Sequence, residues 1–143
     1  MKHRTISVAA FCLIVSVWSA IAAAQGTISN AVLGTGVTAK FEIINPTNVF
    51  SPDTQRIYCA WKTQGLKAGT SVRSVWIAED VGKAAPRNFK IDEATFTPPL
   101  GTASAGSFAL NKPPKAFPVG KYRLELYLGS TLAKTVPFTV KAK

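Results

Sequence analysis

Cys59 and two adjacent carboxylate pairs, Glu79-Asp80 and Asp92-Glu93, are the residues of this chain whose types suit chemistry. A cysteine nucleophile needs a base to hold its thiolate, usually a histidine within hydrogen-bond reach. The single histidine is His3, in the third position of the chain. Paired carboxylates can hydrolyse a glycosidic bond when they face each other across a cleft of about 5 to 10 Å. Neighbouring residues of a strand point to opposite faces, so neither adjacent pair can converge in that way. Gly34-Thr35-Gly36 lacks the third glycine and the following helix of a phosphate loop, and it reads as a turn. There is no Asp-rich calcium loop, and no serine is marked as the partner of a catalytic lysine.

The first 24 residues sharpen these exclusions. Lys2, His3 and Arg4 form a positive start, residues 6–21 an apolar core, and Ala22-Ala23-Ala24 a small-residue cleavage site before Gln25. A membrane-spanning helix needs about 20 apolar residues, and this core is shorter. The pattern predicts a cleavable export signal over 1–24 and a mature domain over 25–143, with no transmembrane segment after cleavage. Taking 24 residues from 143 leaves 119, enough for one domain with its own core. His3, Cys12, Lys2 and Arg4 leave with the signal. The remainder has no histidine, one cysteine, and 15 basic residues against seven acids, a formal net charge of +8. A Ser-His-Asp triad, a Cys-His pair, an imidazole metal site and an internal disulfide are therefore closed to it. The compartment implied is the periplasm or the extracellular medium, and no cofactor is expected.

The elements that must position everything else are strands. Alternating runs at 27–33, 37–44, 55–63, 71–78 and 104–110 are separated by turn signals, with one or two short strands expected between 88 and 97. In the run at 55–63, Ile57, Cys59 and Trp61 share one face and Tyr58, Ala60 and Lys62 the other. That parity makes Cys59 a core thiol and Trp61 a core aromatic. At 71–78 the apolar residues fall on both faces, which predicts two covered faces or a bulge. The ending, 120–140, reads as a hairpin about Gly129-Ser130, with Tyr122, Leu124, Leu126 and Leu128 inward. Lys134 has the parity of the apolar face, which predicts a bulge between Leu132 and Val136. Pro137 places its strand at an edge or a bulge.

Several of these runs, taken in order, resemble small bacterial exported immunoglobulin-like domains. They are Ile57-Tyr58-Cys59-Ala60-Trp61, Ala68-Gly69-Thr70 with Val72 and Trp76, and the closing Gly120, Tyr122, Arg123, Glu125, Tyr127, Leu128, Gly129 and Phe138-Thr139-Val140. The final hairpin also resembles the end of macroglobulin-type modules. The resemblance runs over about residues 37–140 and concerns fold rather than activity. The paired cysteines of antibody domains are absent. It implies one antiparallel β-sandwich of seven to eight strands. Such modules act mostly in adhesion, spacing or protein contact, and they share no catalytic residues.

In a sandwich of this kind the third strand commonly lies beside the penultimate one. Counting the run at 55–63 as third would put Tyr58 and Lys62 next to Arg123 and Tyr127, with Lys121 nearby. These five residues form the candidate binding face, because tyrosines among cations suit protein or glycan contacts. The function expected is non-enzymatic: a binding or structural module contacting another envelope or extracellular protein. One alternative is a basic surface attracted to anionic lipid or glycan. Another is a small enzyme with a carboxylate or Ser-Lys site that no motif marks. The compartment argues against nucleic acid, and the positive charge argues against inhibition of a cationic hydrolase.

Overall fold

A computed structural model describes residues 26–99 and 101–143; the export signal expected over 1–24 lies outside the described residues. Seven strands of seven to ten residues carry the architecture: β1 (Thr27–Gly34), β5 (Arg56–Gln64), β6 (Val72–Asp80), β7 (Phe89–Phe96), β8 (Ala105–Asn111), β9 (Gly120–Leu128) and β10 (Thr131–Val140). Three two-residue strands, β2 (Gly36–Val37), β3 (Ile43–Ile44) and β4 (Val49–Phe50), are added between β1 and β5. One sheet has the order β1-β5-β8 and the other β4-β10-β9-β6-β7, while β2 and β3 pair with each other. The pairings within the two main sheets are antiparallel, apart from the short parallel contact of β4 with β10. This is an immunoglobulin-like sandwich, as the sequence led one to expect.

Alternation along each strand decides which side is buried. Ile57, Cys59 and Trp61 of β5 and Tyr122, Leu124, Leu126 and Leu128 of β9 are all at most 2% exposed. They meet across the core between the sheets. Phe138 on β10 is the aromatic centre: its ring lies 5.1 Å from Tyr122, 5.9 Å from Trp76 and 5.8 Å from Phe50. The Tyr122 hydroxyl donates to the carbonyl of Pro118, four residues upstream. A tyrosine near the start of the penultimate strand, bonded back to its own approach segment, is a hallmark of this fold. Gly120 opens β9 at a φ of +153°, with the Asp80 carbonyl oxygen 2.3 Å from where a Cβ would stand. Only glycine fits that approach.

Two expectations about the strands are corrected. Residues 37–44 do not form one strand, because the Thr38 hydroxyl accepts hydrogen bonds from the amides of Lys40 and Glu42 and folds the segment into a turn. Phe41, at φ +59°, completes that turn, which joins β2 to β3. The run at 55–63 is consequently not the third strand of the sandwich. It is the second long strand, flanked by β1 and β8, and it does not touch the penultimate strand edge to edge. The rule that the third strand neighbours the penultimate one holds, but β6 fills that place, paired to β9 from Val72↔Leu128 to Asp80↔Lys121.

The ambiguous parity of β6 has a specific cause. Val72, Ser74, Trp76 and Ala78 point into the core, whereas Val75 and Ile77 point outward and are still only 6% and 7% exposed. Val75 is flanked by Glu93 and Glu125 and Ile77 by Lys90 and Arg123, on the strands either side. The stems of such long side chains cover apolar neighbours while their charged ends remain in water. The ladder between β6 and β7 also slips between Trp76 and Ile77. On β10 the bulge falls between Leu132 and Lys134, within the expected interval. Pro137 pairs with Arg123 on one side, and on the other lies outside the two-residue contact with β4, where its missing N–H is not needed.

Candidate binding face

The sandwich separates the five residues of the expected face. Tyr58 and Lys62 lie on the outer face of the three-stranded sheet, while Lys121, Arg123 and Tyr127 lie on the outer face of the five-stranded sheet. The hydrophobic core stands between the two groups. The error came from the strand count alone, because every one of these side chains has the outward parity assigned to it.

On the five-stranded sheet most of the outer charges are spent on each other, Lys121 being the exception. The Arg73 guanidinium lies 4.2 Å from the centre of the Tyr127 ring and 3.2 Å from Glu93 Oε1. Lys90 Nζ is 2.9 Å from the other oxygen of the same carboxylate. Arg123 reaches Glu125 at 3.3 Å, Glu79 at 4.0 Å and the Asn88 side-chain oxygen at 2.7 Å. The Tyr127 hydroxyl donates to Glu125. The two cations beside Glu93 hold its carboxyl below the usual glutamate range, the Lys90 hydrogen bond being the larger cause. Partial burial, and then the Glu125 carboxylate, push the Tyr127 phenol up. A network with its partners in place offers little to a ligand.

The outer face of the three-stranded sheet is built differently. Along β5 it carries Arg56, Tyr58, Ala60 and Lys62, and the registers set Gly34, Val32 and Asn30 on one side and Asn111, Ala109, Ser107 and Ala105 on the other. The middle of the face is therefore a carpet of small side chains. Arg56 and Lys62 stand at its two ends, about 20 Å apart at strand rise. Neither has a carboxylate within 4.0 Å among the described residues.

Two clefts open on this face. One, of about 540 Å³, is lined by Thr35, Thr54, Gln55, Arg56 and Tyr58. The other, of about 260 Å³, lies where the β2–β3 turn leans over the sheet, between Phe41, Glu42, Ile43 and Pro46 and the strand residues Asn30, Val32, Ala60 and Lys62. Phe41 is 39% exposed there and sits in the left-handed region. That conformation is uncommon for a bulky residue, and the Thr38 turn holds it in place. Sequence reasoning missed Arg56, Thr35 and Phe41. Arg56 lies near the start of the run at 55–63, before the alternation from Ile57 that assigns its faces, and Phe41 falls inside the run misread as a strand.

The residues singled out for chemistry are placed plainly. Cys59 is fully buried, and burial pushes its thiol up to about 12, far from a reactive thiolate. Glu79 and Glu93 belong to the ion pairs above, and Asp80 pairs with Arg87 at 3.5 Å. No group of three or more His, Cys, Asp or Glu among the described residues is placed to hold a metal ion. No helix among the described residues is long and apolar enough to cross a membrane.

Comparison with known proteins places this arrangement in the immunoglobulin-like class of folds. The chain is similar to an immunoglobulin-like protein from Pseudomonas aeruginosa of known structure, with a TM-score of 0.53 and 17% sequence identity. The match covers 83% of this chain and 100% of that one. No protein-family model matches the sequence, and no curated protein matches it either.

Proposed function

We propose that this protein is a non-enzymatic, exported binding module that docks another envelope or extracellular protein through the outer face of its three-stranded sheet. One observation carries the reading. The two outer faces differ: on the five-stranded sheet Arg73, Lys90 and Arg123 are paired with carboxylates and Tyr127 is bonded to Glu125, whereas this face sets Arg56 and Lys62, neither with a carboxylate partner among the described residues, and Tyr58 beside two open clefts. Arginine and tyrosine are the anchors most often found at protein contacts, and small residues between them let a partner's backbone approach. The fold supports the reading in a general way, since a sandwich with a filled core keeps its recognition on faces and loops. The export signal expected over 1–24 supports the compartment.

The test is capture from envelope extract with purified protein and two variants. Ala109→Lys puts a long side chain in the middle of the proposed face, on an edge strand where the fold tolerates it. Lys121→Ala alters the opposite sheet. A partner held by the wild type in high salt, lost with Ala109→Lys and kept with Lys121→Ala, is the expected result. A partner indifferent to Ala109→Lys overturns the proposal.

A second reading has its own observation. Ten of the 15 basic side chains among the described residues have no carboxylate within 4.0 Å. Such a surface attracts anionic lipid or glycan, and the attraction falls steeply with salt. Retention of phosphatidylglycerol vesicles or acidic glycan at low salt only, with no protein captured at high salt, favours it over protein docking.

A further inference from the structure

We propose that the cleft beside Arg56 is a receptor for a carboxylate of the partner protein, an aspartate or glutamate side chain held by the arginine fork. The inference rests on the docking reading above and names the chemistry of its anchor. Arg56 is exposed yet held: its Nε–H donates to the Asn111 side-chain oxygen at 2.7 Å, and Nη1 donates to the Tyr58 hydroxyl at 3.2 Å. The guanidinium carbon also lies 5.8 Å from the centre of the Tyr58 ring. A guanidinium has five N–H donors, so three remain for a ligand. The Tyr58 oxygen accepts from Arg56, which leaves its own proton free to donate. Thr35 is in the same state, since its hydroxyl oxygen accepts from Asn45 Nδ2 at 3.2 Å.

The cleft of about 540 Å³ is thus rich in donors and carries a full positive charge. The carboxylate nearest in sequence, Asp53, is turned away to Lys143 at 3.2 Å and to the Ser51 hydroxyl. The Gln55 amide nitrogen is likewise occupied, by the Asp53 carbonyl. A ligand that satisfies this set must accept several hydrogen bonds and bring negative charge. A planar carboxylate matches the arginine fork in a bidentate way.

Two features favour a protein as the source. One face of Tyr58 is already engaged by the guanidinium, which leaves less aromatic surface in the cleft for a sugar ring to stack on. The floor beside it on β8, Ser107 and Ala109, is small and partly exposed, which suits a polypeptide lying along that edge strand. The second cleft is less cationic because Glu42 lines it beside Lys62. Arg56 is therefore the principal anchor.

The experiment follows the side-chain Nε–H signal of Arg56 by NMR while the purified protein is titrated with four probes. They are a short poly-glutamate peptide, a matched poly-glutamine peptide, an oligogalacturonate and phosphatidylglycerol vesicles. Poly-glutamate is expected to move the signal, with poly-glutamine inert and the other two weaker. Arg56→Gln is expected to weaken poly-glutamate binding at least tenfold, and Arg56→Lys to lose most of that tenfold as well, because an ammonium lacks the fork. Both variants should keep the wild-type urea midpoint, since the side chain is exposed.

Equal binding by Arg56→Gln or by Arg56→Lys overturns the proposal, as does equal response to poly-glutamine. A stronger response to the oligogalacturonate or the vesicles overturns it in favour of a glycan or a lipid headgroup. The two readings fail separately. If Ala109→Lys abolishes partner capture while Arg56→Gln leaves it intact, the docking face stands and the carboxylate anchor falls.

Discussion

The guanidinium of Arg73 lies 4.2 Å from the centre of the Tyr127 ring, with Glu93 as its ion-pair partner at 3.2 Å. Tyr127 therefore does meet a cation from the neighbouring strand, but it comes from β6 and belongs to a network that closes on itself. The pair is partly exposed, with 30% of the Arg73 side chain in contact with solvent, which limits its strength. Exposed cation–π pairs contribute about 0.5 to 1 kcal/mol. A double-mutant cycle on Arg73→Ala and Tyr127→Ala is expected to return a coupling in that range by urea unfolding. Neither substitution should weaken capture of a partner docked on the opposite sheet. Loss of capture with Tyr127→Ala would instead move the binding face to the five-stranded sheet.

What was legible in the sequence followed from period-two alternation. The inward placing of Cys59, Trp61, Tyr122, Leu124, Leu126 and Leu128 follows from it, because each strand there has one apolar face. The bulge near Lys134 was legible for the same reason, since one charged residue of the wrong parity marks a slip. Two things were not legible. The turn at Thr38 depends on a side-chain hydroxyl capturing two amides, and its flanks, Val37 and Ile43-Ile44, look like strand. That one misreading moved the strand count, and the count moved Tyr58 beside the wrong neighbours. Arg56 was hidden for another reason. Its two hydrogen-bond partners come from β8 and from its own strand, and only the folded register brings Asn111 opposite it.

Tyr122→Phe tests the tie that holds the start of β9. The substitution keeps the ring that stacks 5.1 Å from Phe138 and deletes the hydrogen bond to Pro118. Losing that bond and leaving the carbonyl without its donor costs about 1 to 2 kcal/mol, read as a lower urea midpoint at unchanged m-value. The variant also changes the alkaline limb. Burial raises the Tyr122 phenol to about 12, against about 10 in an unfolded chain. Between those values the unfolded state releases the proton and the folded state keeps it, so stability falls as pH rises. Tyr122→Phe should flatten that fall, and an unchanged alkaline profile would show that the phenol is not its source.

Cys59 should be inert in the folded protein. It is buried on β5 with Ile57 and Trp61 on the same face, and desolvation pushes its thiol up to about 12. At neutral pH the thiolate that reacts with alkylating agents is therefore scarce as well as inaccessible. Iodoacetamide labelling followed by peptide mapping is expected to find no adduct at Cys59 in buffer and full modification in denaturant. Cys59→Ser should destabilise the protein by about 1 to 3 kcal/mol, because it places a hydroxyl among apolar neighbours. Rapid labelling of the native protein would mean that β5 opens far more readily than its packing allows.

Acid should loosen the five-stranded sheet from its outer face. Glu93 accepts from Lys90 at 2.9 Å and Arg73 at 3.2 Å, and these cations hold its carboxyl below the usual glutamate value. A carboxyl with a lower pKa in the folded state than in the unfolded state stabilises fully above the unfolded value, about 4.3. That contribution erodes as pH falls through the folded value, because the unfolded chain takes up its proton first. Glu93→Gln removes the charge at every pH, so its difference from wild type should be constant at neutral pH and shrink toward zero below about pH 4. The measurement is the urea midpoint of both proteins across the acid range. Asp53, held low by Ser51 and Lys143, adds a fall of the same sign that both proteins share. If the midpoints stay parallel into the acid range, the Glu93 ion pairs contribute nothing, and the buried side chains Val75 and Ile77 hold that face without them.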